Sequence, residues 1–269
     1  MLASLKDLYR HRALIGVLTS RELKARYRGS VLGFFWSLLN PLLMLAVYTV
    51  VFQVIFPSRA LSTRPYALFL FAGLLPWNWL ASSLSDASAS LPTHGALLKK
   101  VLFPAEVLPT VSVLAQGAHF LLALPVLLAA LAAGAAGAFG TRVPLGLPLV
   151  QVPALLALEG LLLLGLGYLL AALTVHFRDV KDILGTVLSL WFFATPVLYS
   201  LKDVSSPRLL SALSWNPAAP LFSAWHDALF YGAWVGARTW AEAALVSLAA
   251  FVLGYWLFDK LRDSYAEAV

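Results

Sequence analysis

The sequence predicts an all-α integral membrane protein. Six transmembrane helices follow an interfacial amphipathic helix, with short re-entrant helices between the fifth and sixth. Three observations carry this reading. Of 269 residues, 61% are hydrophobic and 12% are charged, against roughly 25% charged in a typical soluble domain. Stretches nearly free of charge recur at lengths near or beyond the ~20 residues that a bilayer requires. Lys and Arg then collect on one side when those stretches are folded back and forth.

Residues 1–30 read as a cytoplasmic interfacial segment. In SRELKARYRGS, Arg21, Lys24 and Arg28 fall within about 60° of one another on a helix and make a basic stripe. Arg26 points away from it, and Leu14, Val17 and Leu18 lie nearby, so the amphipathic pattern is imperfect. Such a helix lies in the headgroup region, and Gly29-Ser30 supplies the bend into the first span. Anionic lipid is the plainest partner for the stripe. The spans follow at 31–56, 66–90, 106–133, 147–175 and 183–201, so that residues 31–201 hold helices one to five. Residues 202–239 are apolar but interrupted by His226-Asp227, Pro217, Pro220 and Gly232. Charge at a span centre costs roughly 2.5–3.5 kcal/mol per residue, so this stretch reads as re-entrant helices covered by protein. Residues 240–269 hold the sixth span, 240–258, and a tail.

Orientation comes from the cations. Lys6, Arg10, Arg12, Arg21, Lys24, Arg26, Arg28, Lys99, Lys100, Arg178, Lys181, Lys260 and Arg262 fall on one side. Arg59, Arg64, Arg142, Lys202, Arg208 and Arg238 fall on the other. The richer side is cytoplasmic, with both termini inside.

Several chemistries are excluded. With no cysteine, disulfides and thiolate metal sites are absent. No pattern of a secretory leader stands at the start. The net charge of +6 is scattered among segment ends, which fits membrane orientation and not nucleic acid. A phosphate-binding loop needs a Gly-rich turn ending in Lys-Ser or Lys-Thr. No Lys here follows Gly or precedes Ser or Thr, so ATP hydrolysis by that route belongs to another chain.

Within the spans, Pro41 and Thr195-Pro196 mark bends, since proline removes a helical hydrogen bond. Glu159 sits mid-span, where an ionised carboxylate faces protein or water, and Gln116 and His119 are its candidate partners. Asp86, among Ser82, Ser83, Ser85, Ser88 and Ser90, marks either a polar lining or close helix packing. An ion-coupled secondary transporter of a small or lipid-like substrate would use a group such as Glu159, but no internal repeat supports it. An intramembrane serine hydrolase would draw on His119 and those serines, but no Gly-x-Ser-x-Gly accompanies them.

Four stretches carry a resemblance: RELKARYRGSVLGFFWSLLNPLL, FAGLLPWNWLASSL continuing to LLKKVLFPAEVLP, LGLGYLLAALTVHFRDVKDIL with WFFATPVLYS, and LSWNPAAPL. In order, and over about half the chain, they resemble the membrane subunits of polysaccharide-exporting ABC transporters, the ABC-2 type permeases. Ala105 departs from the pattern, standing where a basic residue is expected after Phe-Pro.

The resemblance implies a homodimeric half-transporter in a bacterial inner membrane. Two copies enclose a channel for a lipid-linked polysaccharide such as O-antigen, capsule or teichoic acid, and two cytoplasmic ATPase subunits hold ATP and Mg. It makes Leu97, Leu98, Lys99, Lys100 and Val101 a coupling helix gripped by the ATPase, with Arg178 and Asp182, an i,i+4 pair if helical, as a second contact. Trp215, Asn216 and Pro217 become an outer gate. Pro41, Pro196 and Pro217 are candidate hinges, although membrane helices often carry proline for packing alone. Trp77, Trp79, Trp191, Phe192, Phe193, Trp215 and Trp225 are candidate gate or channel aromatics, although interfacial belts contain the same residues. Arg21, Arg26 and Arg28 are candidates for holding the pyrophosphate headgroup, because guanidinium forks bind phosphate oxygens in pairs.

Overall fold

Apolar runs that cannot send backbone groups to water must pair them locally, and helices result. The computed structural model describes residues 10–30, 32–55, 65–100, 103–140 and 142–265, and among these there is no strand. Ten α-helices follow in chain order: α1 Arg12–Tyr27, α2 Trp36–Thr49, α3 Tyr66–Thr93, α4 Gly95–Lys100 and α5 Val107–Ala135, then α6 Val152–His176, α7 Asp179–Ala194, α8 Pro207–Ser214, α9 Ala219–Leu229 and α10 Ala237–Lys260. A π-helical stretch, Val50–Ile55, continues α2, and a 3₁₀ turn, Leu147–Gln151, leads into α6.

Among the described residues, four helices are long and apolar enough to cross a membrane: Tyr66–Thr93, Val107–Ala135, Leu147–His176 and Ala237–Lys260. They coincide with the expected second, third, fourth and sixth spans. The expected first and fifth spans differ. The first is a 14-residue α-helix whose last turns widen into the π form. The fifth begins four residues early, at Asp179, and stops at Ala194 instead of running to residue 201. The cause is Pro196, since the residue before a proline is pushed into extended geometry. Thr195 accordingly has φ −97° and ψ 139°. Pro196 thus ends this helix and does not bend it. Pro41 does lie inside α2.

The core forms around α3, which packs against both α5 and α6 and is buried along most of its length. The closest crossing joins α6 to α10. There a Cβ added to Gly165 would enter the backbone of Ala250 and Phe251, and one added to Gly254 would enter the backbone of Gly165. Only glycine lets the two helices approach so closely. Large apolar side chains remain exposed on α2 (Leu42, Leu43, Val47), α7 (Ile183, Val187, Leu190) and α10 (Leu245, Leu248, Leu253).

The bundle has two unlike ends. One collects α1, α4, the start of α5, the end of α6 and the tail after α10, and holds most of the described cations. We term it the basic end. There α1 lies along α5, with Ile15 packed on Val107 and Val111, while Val17 faces out. The far end collects the start of α3, the start of α6, α8 and α9. Of the expected cations, Lys6, Arg59 and Arg64 lie outside the described residues.

Candidate functional site

At the far end several polar side chains find their partners within the chain. Asn216, between α8 and α9, is the hub. Its Oδ1 accepts from Trp191 Nε1 (2.8 Å) and from the Ala218 backbone N–H (3.0 Å). Its Nδ2 donates to the Ala194 carbonyl (2.8 Å) and to Thr195 Oγ1 (2.9 Å). One amide thereby caps the free carbonyl end of α7 and fixes the turn into α9. Neighbouring Trp215 is 85% exposed, and Pro217 begins the turn that leads into α9.

From that turn α9 runs into the bundle, with Leu221, Phe222, Trp225 and His226 buried. The His226 ring stacks on Phe69, centroids 3.9 Å apart, and its Nε2 lies 3.1 Å from the Phe69 carbonyl. Gly73 leaves room for it, because a Cβ there would meet the His226 ring. Glu159, fully buried in α6, accepts a 2.8 Å hydrogen bond from Trp225 Nε1. The partners named from sequence, Gln116 and His119, are not the ones it uses. Gln151 closes the other flank, donating to the Pro148 and Ala233 carbonyls and accepting from the Val235 N–H.

The candidate aromatics divide by position. Trp77, Trp79 and Trp225 are buried within the chain, while Phe193 and Trp215 are exposed. Trp77 packs on Trp191, Phe192 and Phe222 and so joins α3, α7 and α9. Trp79 donates to the Val113 carbonyl and packs on Phe120, which in turn meets Trp225.

At the basic end the three candidate headgroup arginines separate. Arg21 and Arg28 line an outward groove on α1 together with Lys24. Arg26 turns inward and donates from Nη1 to Gln116 Oε1 (3.1 Å). Gln116 in turn donates to Asp86, so one amide links α1, α5 and α3. This relay borders a cavity of about 470 Å³ walled by α1, α2, α3 and α5. Sequence reasoning missed that Asn40 and Asn78 line it too. The available signal was an amide inside an otherwise apolar run.

Below the bundle, α4 spans Gly95–Lys100, with Leu98 half-buried against the core and Lys99 exposed. Val101, with the side chains of Leu97 and Lys100, lies outside the described residues. Arg178 and Asp182 are exposed and form no ion pair among the described residues, contrary to the i,i+4 expectation. Arg178 immediately precedes α7 and makes no capping hydrogen bond, whereas Asp179 and Asp182 occupy its first turn, where carboxylates favour the positive end of the helix dipole. Two further residues tie the tail to the loops. Buried Glu106 meets Arg262 at 3.3 Å, and Ser264 Oγ lies 3.0 Å from His176 Nε2. Beside them Tyr265 is buried and donates to the Phe258 carbonyl. Burial, reinforced by the Asp259 carboxylate, raises its pKa above the ordinary tyrosine value. No group of three or more His, Cys, Asp or Glu residues suited to a metal occurs among the described residues.

Residues 13–230 match the ABC-2 type transporter family. The chain belongs to that family. Curated relatives extend the match end to end. An O-antigen export system permease protein, RfbA, of Myxococcus xanthus is 36% identical over the whole of both chains. Two proteins of the same name from Klebsiella pneumoniae are 30% and 29% identical over 94% of each chain. As an ABC-2 membrane subunit with four long apolar helices, the chain is a multi-pass membrane protein.

Proposed function

We propose that the chain is the channel-forming permease subunit of an ATP-driven exporter that moves a lipid-linked polysaccharide across the bacterial inner membrane. The observation that carries this reading is full-length similarity to permeases named for O-antigen export. The chain's lack of a phosphate-binding loop agrees with it, since the motor is then a separate subunit carrying ATP and Mg.

In this reading α2 and α7 complete six crossings. The 14 residues of α2 and the six that continue it span about 30 Å at 1.5 Å per residue, the thickness of a hydrocarbon core. The 16 residues of α7 reach about 24 Å, and the far-end turn at Asn216 makes up the remainder. The re-entrant reading of α9 is supported by Trp225, which meets Glu159 inside the bundle, whereas α8 buries no residue. The excess of Lys and Arg at the basic end makes it cytoplasmic. The exposed apolar faces of α2 and α7 suit a second copy, since a helix face open on all sides needs either lipid or protein.

Two copies then enclose the path, and Lys99, Arg178 and Asp182 lie on the surface that two copies of the ATPase would grip. The tail joins these two loops through Glu106–Arg262 and His176–Ser264, so force applied at either one reaches the ends of α5, α6 and α10. Purification in mild detergent followed by intact mass measurement tests the reading. We expect two copies of this chain with two of a soluble ATPase. A stable assembly without any ATPase would overturn it.

A further inference from the structure

Two asparagines stand where a membrane protein has reason to avoid them. Asn40 lies in α2 and Asn78 in α3, both are exposed, and among the described residues neither side chain has a hydrogen-bond partner. Asn78 lies roughly 22 Å along α3 from its Thr93 end, well within the hydrocarbon layer. An amide at that depth persists where it meets water, a ligand or a partner. Both line the cavity bordered by Arg26.

The lining defines the ligand. At about 470 Å³ the cavity falls within the ~300–1,000 Å³ of small-molecule sites. Arg26 is the cation that lines it, and Gln116 engages its Nη1. Guanidinium carries five N–H donors in a fork suited to phosphate. Because the Gln116 amide stands between Arg26 and Asp86, the guanidinium is not neutralised by direct contact. Deeper in, Asn40, Asn78 and Ser82 supply neutral donors and acceptors, and Trp36 supplies a flat apolar face. One phosphate-binding fork, neutral polar groups and an indole together fit a phosphate ester of a polyol. Neither a bare apolar chain nor a free carboxylate would use all three.

We propose that this cavity binds a polyol phosphate, with the phosphate on Arg26 and the hydroxyls on Asn40, Asn78 and Ser82. Two sources share that chemistry: the headgroup of an anionic glycerophospholipid, and the phosphate-linked first sugar of a lipid-linked glycan. The second source rests on the exporter reading above, whereas the site itself does not. Arg21 and Arg28 do not line this cavity and take no part.

Native mass spectrometry of the delipidated full-length protein tests this with two probes, phosphatidylglycerol and a polyprenyl-phosphate hexose. The expected result is one probe retained per chain. Retention should weaken about tenfold or more in Arg26→Gln, as suits loss of a charge-assisted hydrogen bond, and in Asn78→Leu, while Arg21→Gln and Arg28→Gln retain the probe as the native chain does. Ser82→Ala gives a second reading should Asn78→Leu fail to fold. Preference for the hexose probe identifies cargo, and preference for phosphatidylglycerol identifies a resident lipid. Either outcome keeps the site. Unchanged retention in Arg26→Gln with Ser82→Ala, or equal loss in Arg21→Gln, would overturn it.

Discussion

The two ends of the bundle are built on opposite principles. At the far end, Asn216, Gln151, His226 and Trp225 direct their polar atoms to groups of the same chain, and α9 is buried along one whole side. At the basic end, Arg21, Lys24, Arg28, Lys99, Arg178 and Lys181 face outward. There α1 is held by a short apolar patch and one inward arginine. Each buried polar atom left unmatched costs about 1–3 kcal/mol, so the far end gains a fixed shape by closing its bonds internally. The basic end leaves these six cations on its surface. In the proposed exporter, this asymmetry would serve a subunit gripped from one side and shut on the other.

The largest effect should come from the crossing that joins the two ends. Gly165 and Gly254 bring α6 and α10 into backbone contact, and backbone cannot move aside as a side chain can. Gly165→Leu should cost at least about 3 kcal/mol through overpacking and separate α10 from the core. Size-exclusion chromatography in detergent should then show loss of the monodisperse peak. A native elution profile and melting point would mean that the ends are not coupled through this crossing.

How far the sequence foretells this architecture depends on the range of the force at work. The four long spans were legible to within a few residues because long apolar runs flanked by charge report burial locally. The end of α7 was misplaced although Pro196 was in view, since a proline near a span end can either bend a helix or stop it. For Glu159 a burden was legible but not the partner, because Trp225 stands 66 residues away and arrives through a re-entrant helix. Arg26 was visibly off the basic stripe. What it faced depended on how α1 docks on α5, which no helical pattern encodes. The i,i+4 pairing of Arg178 failed for a simpler reason: the helix starts one residue later.

The next effect tests the closed end. Asn216→Ala removes four hydrogen bonds and leaves Trp191 Nε1, the Ala194 carbonyl and the Ala218 N–H unmatched. The group is only partly buried, so the loss should be about 2–4 kcal/mol rather than the full sum. Asn216→Asp keeps the acceptor for Trp191 but sets a carboxylate oxygen against the Ala194 carbonyl at the negative end of α7, and should lose at least as much as Asn216→Ala. Thermal unfolding in detergent gives the order. If Asp is more stable than Ala, the Trp191 bond carries the energy and the carbonyl cap on α7 carries little. Proteolysis within α1 should stay unchanged in both, because that helix belongs to the other end.

The smallest effect tests an exception at the open end, where buried Glu106 and surface Arg262 form an ion pair. Glu106 is almost wholly buried, but the Arg262 side chain is 39% exposed, so solvent screens the pair and its coupling should be about 1 kcal/mol. Arg262→Ala leaves a buried carboxylate without its cation and should cost more than Glu106→Gln, which removes the buried charge itself. The double variant should therefore recover part of what Arg262→Ala loses. A double-mutant cycle on melting in detergent measures this directly. Additive losses would show that Glu106 and Arg262 do not couple, so that contacts such as those of Tyr265 and Ser264 anchor the tail and the basic end is more open than this pair suggests.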